Sequence, residues 1–312
     1  GKSFKGVGEK SKHVDNHALY IDPENTDHMV MGCDGGIYET WDAAKYWSFK
    51  PNLPITQFYR VSVDNSLPFY YVYGGTQDNN SLGGPSRTTS ASGIVNSDWF
   101  ITNGGDGFES ATDWSNPNIT YAQAQYGWLV RYDKASGEKV PIQPMPGKGE
   151  APYRWNWDAP LLVSTHDPST LYFAANKLFK TTNKGDDWTA ISPDLTQQLD
   201  RNKFKLMGQV WTMDAVMKNA STTIYGNIIA LDESPKKKGL LYAGTDDGLI
   251  QVSENDGKTW MKYSIFPGVP INTRVNMLTA SLHDENTVFA VFNSQRQGDF
   301  KPYILKSLDK GK

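Results

Sequence analysis

Two Asp residues stand where a carboxylate could do chemistry. Asp34 lies in Cys33-Asp34-Gly35-Gly36, and Asp106 lies in Gly104-Gly105-Asp106-Gly107. Two carboxyl groups flanking one bond are the minimum machinery for cleaving a glycosidic link, one as acid and one as nucleophile or base. Asp78 in Gly75-Thr-Gln77-Asp78-Asn79-Asn80, and Asp247 in Thr245-Asp246-Asp247-Gly248, could substitute for either. The same residue types have a plainer use, because Asp and Gly are what a tight hairpin turn needs. His13-x-Asp15-x-His17 is a second constellation. Alternation would put all three side chains on one face of an extended strand, where two imidazoles and a carboxylate could hold a metal. They could equally close a wall by hydrogen bonds. We assign no metal there, and no motif calls for a cofactor. Arg154-Trp155-Asn156-Trp157-Asp158 adds a cation and two large rings. Exposed, Trp155 and Trp157 would stack on sugar faces; buried, they would pack between structural units. The candidate catalytic pair is therefore Asp34 and Asp106. The candidate ligand-binding residues are His13, Asp15, His17, Gln77, Asp78, Arg154, Trp155, Trp157, Asp158, Asp246 and Asp247.

These residues need a rigid frame, and the chain carries a repeat that supplies one. Ser253-x-Asn255-x-Gly257-x-Thr259-Trp260 follows a short apolar run, Leu249-Ile-Gln-Val252. Asn255 can hydrogen-bond its own downstream backbone, Gly257 can take a positive φ, and Trp260 can cover the apolar layer beneath. Related stretches are Thr40-x-Asp42-x-Ala44-x-x-Trp47, Thr181-x-Asn183-x-Gly185-x-x-Trp188 and Ser307-x-Asp309-x-Gly311. Gly1-Lys2-Ser3-Phe4 looks like the tail of one more, and Asp133-x-x-x-Gly137 like a worn copy. Asp42, Asn183, Asn255 and Asp309 are expected to be turn formers, with Trp47, Trp188 and Trp260 largely buried.

Between these turns, paired apolar runs recur, such as Pro160–Ser164 with Thr170–Ala174 and Asn227–Leu231 with Leu240–Gly244. They are short, rich in Val, Ile, Leu and aromatics, and bounded by Asp, Asn, Pro and Gly. Each unit thus reads as strands A, B, C and D, and about six units follow one another. They begin near 17, 57, 107, 159, 226 and 275. The stretch opening at Gly75 reads as a long insertion to about 97, and 194–207 could hold a short helix.

The turn pattern resembles the Asp-box, or BNR, repeat of sialidase-like, sortilin-type and related β-propellers. That resemblance implies an all-β propeller of four-stranded antiparallel blades spanning 1–312, read as a piece of a longer propeller chain. Antiparallel strands alternate the turns between two faces, so the Asp-box turns share one face and the long, variable loops share the other. Loops on a rigid scaffold usually carry function, and every candidate named above falls on the second face. Cys33-Asp34-Gly-Gly-Ile-Tyr38 is similar to a stretch holding a catalytic Asp in family 74 xyloglucan hydrolases, and Gly105-Asp106-Gly-Phe108 loosely resembles that family's second stretch. The chain as a whole looks closer to bacterial sortilin-like proteins. Sialidase chemistry wants three clustered arginines, whereas Arg60, Arg87, Arg131, Arg154, Arg201, Arg274 and Arg296 are scattered in the sequence.

Bulk composition narrows the classes further. Lys and Arg total 31 against 34 Asp and Glu, a net charge of −3 with no long basic run, so no nucleic-acid footprint is expected. No apolar stretch reaches the ~20 residues of a membrane helix. Cys33 is the single cysteine, so no internal disulfide forms. The leading expectation is a secreted or cell-surface, sortilin-like propeller binding a peptide, protein or glycan in its funnel. The alternatives are a glycoside hydrolase using Asp34 and Asp106, and a scaffold resembling the photosystem-assembly propellers.

Overall fold

The computed structural model describes the chain except residues 1, 5, 7–9, 54, 206, 213 and 216–224. Short β-strands dominate, and the helices among the described residues are four single turns of 3-10 type. The strands form six antiparallel sheets, each a meander in sequence order; five have four strands and the sixth has three. The first strands of the sheets are Asn16–Ile21, Phe58–Val63, Ser110–Thr112, Leu161–Val163, Ile228–Glu233 and Arg274–Ala280. The protein is an all-β propeller, and these sheets are its blades. Gly1, in the expected N-terminal repeat tail, lies outside the described residues.

Apolar faces of successive blades form the core. Tyr121 and Leu129 of the third blade meet Leu161, Phe173 and Phe179 of the fourth. Tyr172 and Leu178 of the fourth meet Ile228 and Leu241 of the fifth. Tyr242 and Val252 of the fifth meet Val275, Leu278 and Phe292 of the sixth. Alternation along each strand sends one set of side chains to each neighbour, so the fourth and fifth blades are buried on both faces without a thick layer of their own.

The repeated turns are built by one hydrogen-bond scheme. Ser253 Oγ accepts the Gly257 amide at 2.9 Å, and Asn255 Oδ1 accepts the Thr259 amide at 2.9 Å. Thr181 Oγ1 accepts the Gly185 amide at 3.1 Å, and Asn183 Oδ1 the Asp187 amide at 3.0 Å. Ser307 and Asp309 repeat this with Gly311 and Lys312 at 2.7 and 3.1 Å. Thr40 and Asp42 do the same with Ala44 at 3.2 Å and Tyr46 at 3.0 Å. Ala44 holds a φ of 65° in the place where Gly257 holds 83°. Trp47 is 1% exposed, but Trp188 and Trp260 are only half-buried. Their indole N–H groups reach across to the preceding blade, Trp188 to the Ile142 carbonyl at 2.6 Å and Trp260 to that of Ile191 at 3.2 Å.

The second blade departs from expectation. Gly75–Asn80 does not open an insertion: strand Tyr71–Thr76 turns at once into strand Ser81–Pro85. The extra residues lie after that strand, before Phe100–Asn103. Gly83 and Gly84 hide this strand from a reading by propensity. The rings of Phe100 and Trp99 occupy the space their side chains would fill, within 2.7 and 2.5 Å of where a Cβ would lie.

Candidate functional site

First strands open toward the loop-rich face, so their leading residues and the B–C turns beside them meet at the mouth. Asp34 sits in the turn between Met29–Cys33 and Gly36–Thr40. Its carboxylate accepts hydrogen bonds from His17 Nε2 and, across the blade boundary, from Gln77 Nε2. Its amide donates to the Asp15 carbonyl at 3.3 Å. His17, Asp34 and Gln77 therefore form one polar bridge between the first two blades.

His13, Asp15 and His17 do not share a face as alternation predicts. Asp15 takes a φ of 57°, which breaks the extended run and sends His17 to Asp34. The groups that converge are instead His13, Asp15 and Asp78, whose ligand-type atoms all lie within 4.8 Å of one another. His13 Nδ1 donates to the Val14 carbonyl at 3.0 Å, leaving Nε2 toward Asp78 Oδ1, 4.0 Å away.

Asp106 is 5% exposed and accepts the Asp78 amide at 2.7 Å. It is not presented to solvent beside Asp34. Asp34 borders a groove of about 670 Å³ with Gln77, Asn79, Phe49 and Lys50, and Asp106 is not in its wall. The reason is a backbone contact. Gly75 lies so close to Gly107 that a Cβ there would meet its carbonyl carbon at 2.0 Å. This draws the Asp106 loop over the Asp78 turn. Burial, then hydrogen bonding and repulsion from Asp106, push the Asp78 carboxyl up to about 7.

Most other candidates are tied into the frame. Arg154 is bound to Asp194 at 2.8 Å and to the Gly226 carbonyl at 3.0 Å. Trp155 is 7% exposed, packed on Phe173 and Phe179, so it offers no face to a sugar; its position under the fourth blade's apolar strands decides this. Trp157 is half-buried and meets the rings of Phe108 and Tyr126 edge-on. Asp158 holds Arg60 through Nη2 at 3.0 Å and Nε at 3.2 Å. Nearby, burial pushes Glu109 up to about 7. Asp247 accepts the Gln197 amide at 2.7 Å and the Thr245 hydroxyl at 2.5 Å. Asp246 accepts the amides of Gly226 and Asn227 at 3.0 and 2.8 Å, and burial pushes it up to about 7.

A second cavity holds, beside the candidate Asp246, residues to which the sequence assigned no role. It encloses about 370 Å³ between the fifth and sixth blades, with Arg274, Arg296, Asn276, Asn293, Gln295 and Gln297 in its wall beside Tyr225 and Asp246. Arg274 and Arg296 look scattered in sequence. The pairing of Arg274 with Asn293 across the sixth blade brings them together. The available signal is positional: Arg274 opens a first strand, and such residues face the mouth.

No protein-family model matches the chain, and no curated protein matches it. Solved structures do resemble it. One is the extracellular domain of the one-component system BT4673 from B. thetaiotaomicron, at 15% identity over 88% of this chain and 31% of that one, with a TM-score of 0.47. A second is the GH74 xyloglucanase from Xanthomonas campestris, at 15% identity over 95% of this chain and 51% of that one, with a TM-score of 0.40. A third is an ancestral GH74 enzyme, at 14% identity over 93% of this chain and 38% of that one, with a TM-score of 0.48. The chain spans about a third to a half of the length of these structures.

Proposed function

We propose that this propeller binds a glycan across its loop-rich mouth, at the cell surface or outside the cell, without cleaving it. One observation carries the reading: the expected catalytic pair does not share one open groove, since Asp34 borders it and Asp106 is buried outside its wall. Asp34 is engaged by His17 and Gln77, and Asp106 is buried against the Asp78 amide. A glycosidase needs an acid and a base about 5–10 Å apart on opposite sides of one bond. The mouth instead presents amide side chains and half-buried rings, the groups that recognise hydroxyls and sugar faces.

A second reading has an observation of its own. Asp78, raised to about 7, could donate a proton near neutrality to a leaving oxygen while Asp34 acts as the base. The two readings part in one experiment. The protein is incubated with xyloglucan and other β-glucans, and both retention on the polysaccharide and release of reducing ends are measured. Retention without release is expected. Release that disappears in Asp34→Asn and Asp78→Asn would establish the hydrolase reading instead.

A further inference from the structure

We infer that the cavity between the fifth and sixth blades is a subsite for a sugar carrying an oxyanion, a carboxylate or a sulfate, clamped by Arg274 and Arg296. The inference deepens the glycan-binding reading and rests on it. Its first support is charge without a counter-ion. Arg60, Arg131 and Arg154 each pair with an Asp. Arg274 and Arg296, in one cavity wall, have no ion pair among the described residues, and Arg274 Nε is buried without a hydrogen-bond partner. Arg274 is half-buried, and holding a part-desolvated guanidinium beside another cation is unfavourable unless an anion joins them. Burial first, then the neighbouring Arg296, act against the charge on Arg274, and the carboxyls of Asp246 and Asp158 offset them only in part.

Asp246, the one carboxyl in the wall, is a poor counter-ion. Its oxygens are turned to the amides of Gly226 and Asn227 and to Asn227 Nδ2 at 3.2 Å. Burial pushes its carboxyl up to about 7, which makes it a weaker counter-ion than an exposed carboxylate. An arriving oxyanion would find two planar forks suited to bidentate contact.

The rest of the wall selects a sugar as the carrier. Asn276, Asn293, Gln295 and Gln297 offer neutral donors and acceptors around the arginines. Gln297 Oε1 takes the Ser294 hydroxyl and Asn293 Oδ1 takes the Gln295 amide. Those bonds turn the two NH₂ groups into the remaining donors. Such a set suits hydroxyls flanking an anionic substituent. A peptide terminus that brought an aliphatic side chain would find, beside Tyr225, only polar and charged residues lining the wall. The volume, about 370 Å³, falls in the ~300–1,000 Å³ range usual for small-ligand sites.

The test uses polygalacturonate for the carboxylate, κ-carrageenan for the sulfate, xyloglucan as the neutral glycan, and a peptide with a free or amidated C-terminus. Binding is measured by affinity electrophoresis and calorimetry for wild type, Arg296→Gln and Arg296→Lys. Arg296 is exposed, so its replacement leaves the core intact, and an unchanged urea midpoint checks this. At least one acidic glycan is expected to bind, weakened about tenfold or more by Arg296→Gln, the size of one lost charge-assisted bond. Arg296→Lys is expected to fall between the two, and xyloglucan binding to stay unchanged. Equal affinity of wild type and Arg296→Gln for the acidic glycan would overturn the inference. So would binding of xyloglucan alone, which leaves the broader glycan reading standing. Binding of no glycan removes both, and Arg296-dependent binding of the free-carboxylate peptide alone would assign the clamp to a chain terminus. Cleavage of an acidic glycan with Arg296-dependent affinity would keep the clamp and end the non-hydrolytic reading.

Discussion

At the scale of single residues, the acidic mouth is governed by which carboxylates are shielded and which have donors. Asp78 is the clearest case, because its elevated pKa has burial as first cause and Asp106 as second. Asp106→Asn removes the like charge and keeps an oxygen for the Asp78 amide. The Asp78 carboxyl should then titrate below its present value of about 7, measurable by NMR of the side-chain carboxyl. A titration unmoved by the substitution would show that burial alone sets it. Asp106→Ala differs, because it removes the acceptor of the half-buried Asp78 amide and should cost about 1 kcal/mol in chemical denaturation. The sequence named Asp34, Asp78 and Asp106 but not their partners. His17 reaches Asp34 only because Asp15 turns the chain, and no residue type announces that turn, since Asp is merely tolerant of positive φ.

At the scale of strands and turns, the repeated hydroxyl–amide turn is what joins the third strand to the fourth. Ser253→Ala leaves the Gly257 and Asn255 amides without their acceptor and should lower stability by about 1–2 kcal/mol. Trp260→Ala removes packing and the bond to Ile191 together. With Trp260 half-buried, a loss of about 3 kcal/mol is expected, the low end for a large aromatic. Urea unfolding of both variants gives the comparison, and a Trp260→Ala loss under 1 kcal/mol would mean that the ring is not a staple between blades. These turns were legible because their chemistry is local: hydroxyl, carboxamide and glycine act within a few residues of one another. The third strand of the second blade was not, because Gly83 and Gly84 pack in it against the rings of Phe100 and Trp99, a tertiary effect that propensity does not contain. The arginine pair was hidden for the same reason, since register across the sixth blade brings it together.

For the whole molecule, the buried carboxyls give stability a definite pH dependence. Asp78, Glu109 and Asp246 are raised to about 7 and Asp232 to about 6, each chiefly by burial. Unfolded, such groups titrate near ~4. Between these limits the folded chain holds the extra protons, so stability falls as pH rises from about 4 to about 7 and then levels off. Glu39 and Glu254, held to about 2 chiefly by hydrogen bonds from Lys50 and Lys312, act the other way. Their contribution is full above about 4.5 and is lost as acid approaches 2. The urea midpoint should therefore be higher at pH 5 than at pH 8, and the opposite order would show that the acidic groups are better hydrated than the structure implies.

The blade-to-blade core has a kinetic counterpart in amide exchange. In the fifth blade, strands Leu241–Thr245 and Ile250–Ser253 are buried at every residue, whereas in the first blade strand Asn16–Ile21 is exposed throughout. Protection in such an assembly is set by the cheapest opening that frees each amide, and regions with little buried apolar surface open locally well before the whole unfolds. Deuterium should enter the first blade through small fluctuations while the fifth waits for nearly global opening. A molecule built from one repeated unit would then exchange unevenly along its length, its first and fifth blades told apart by mass alone.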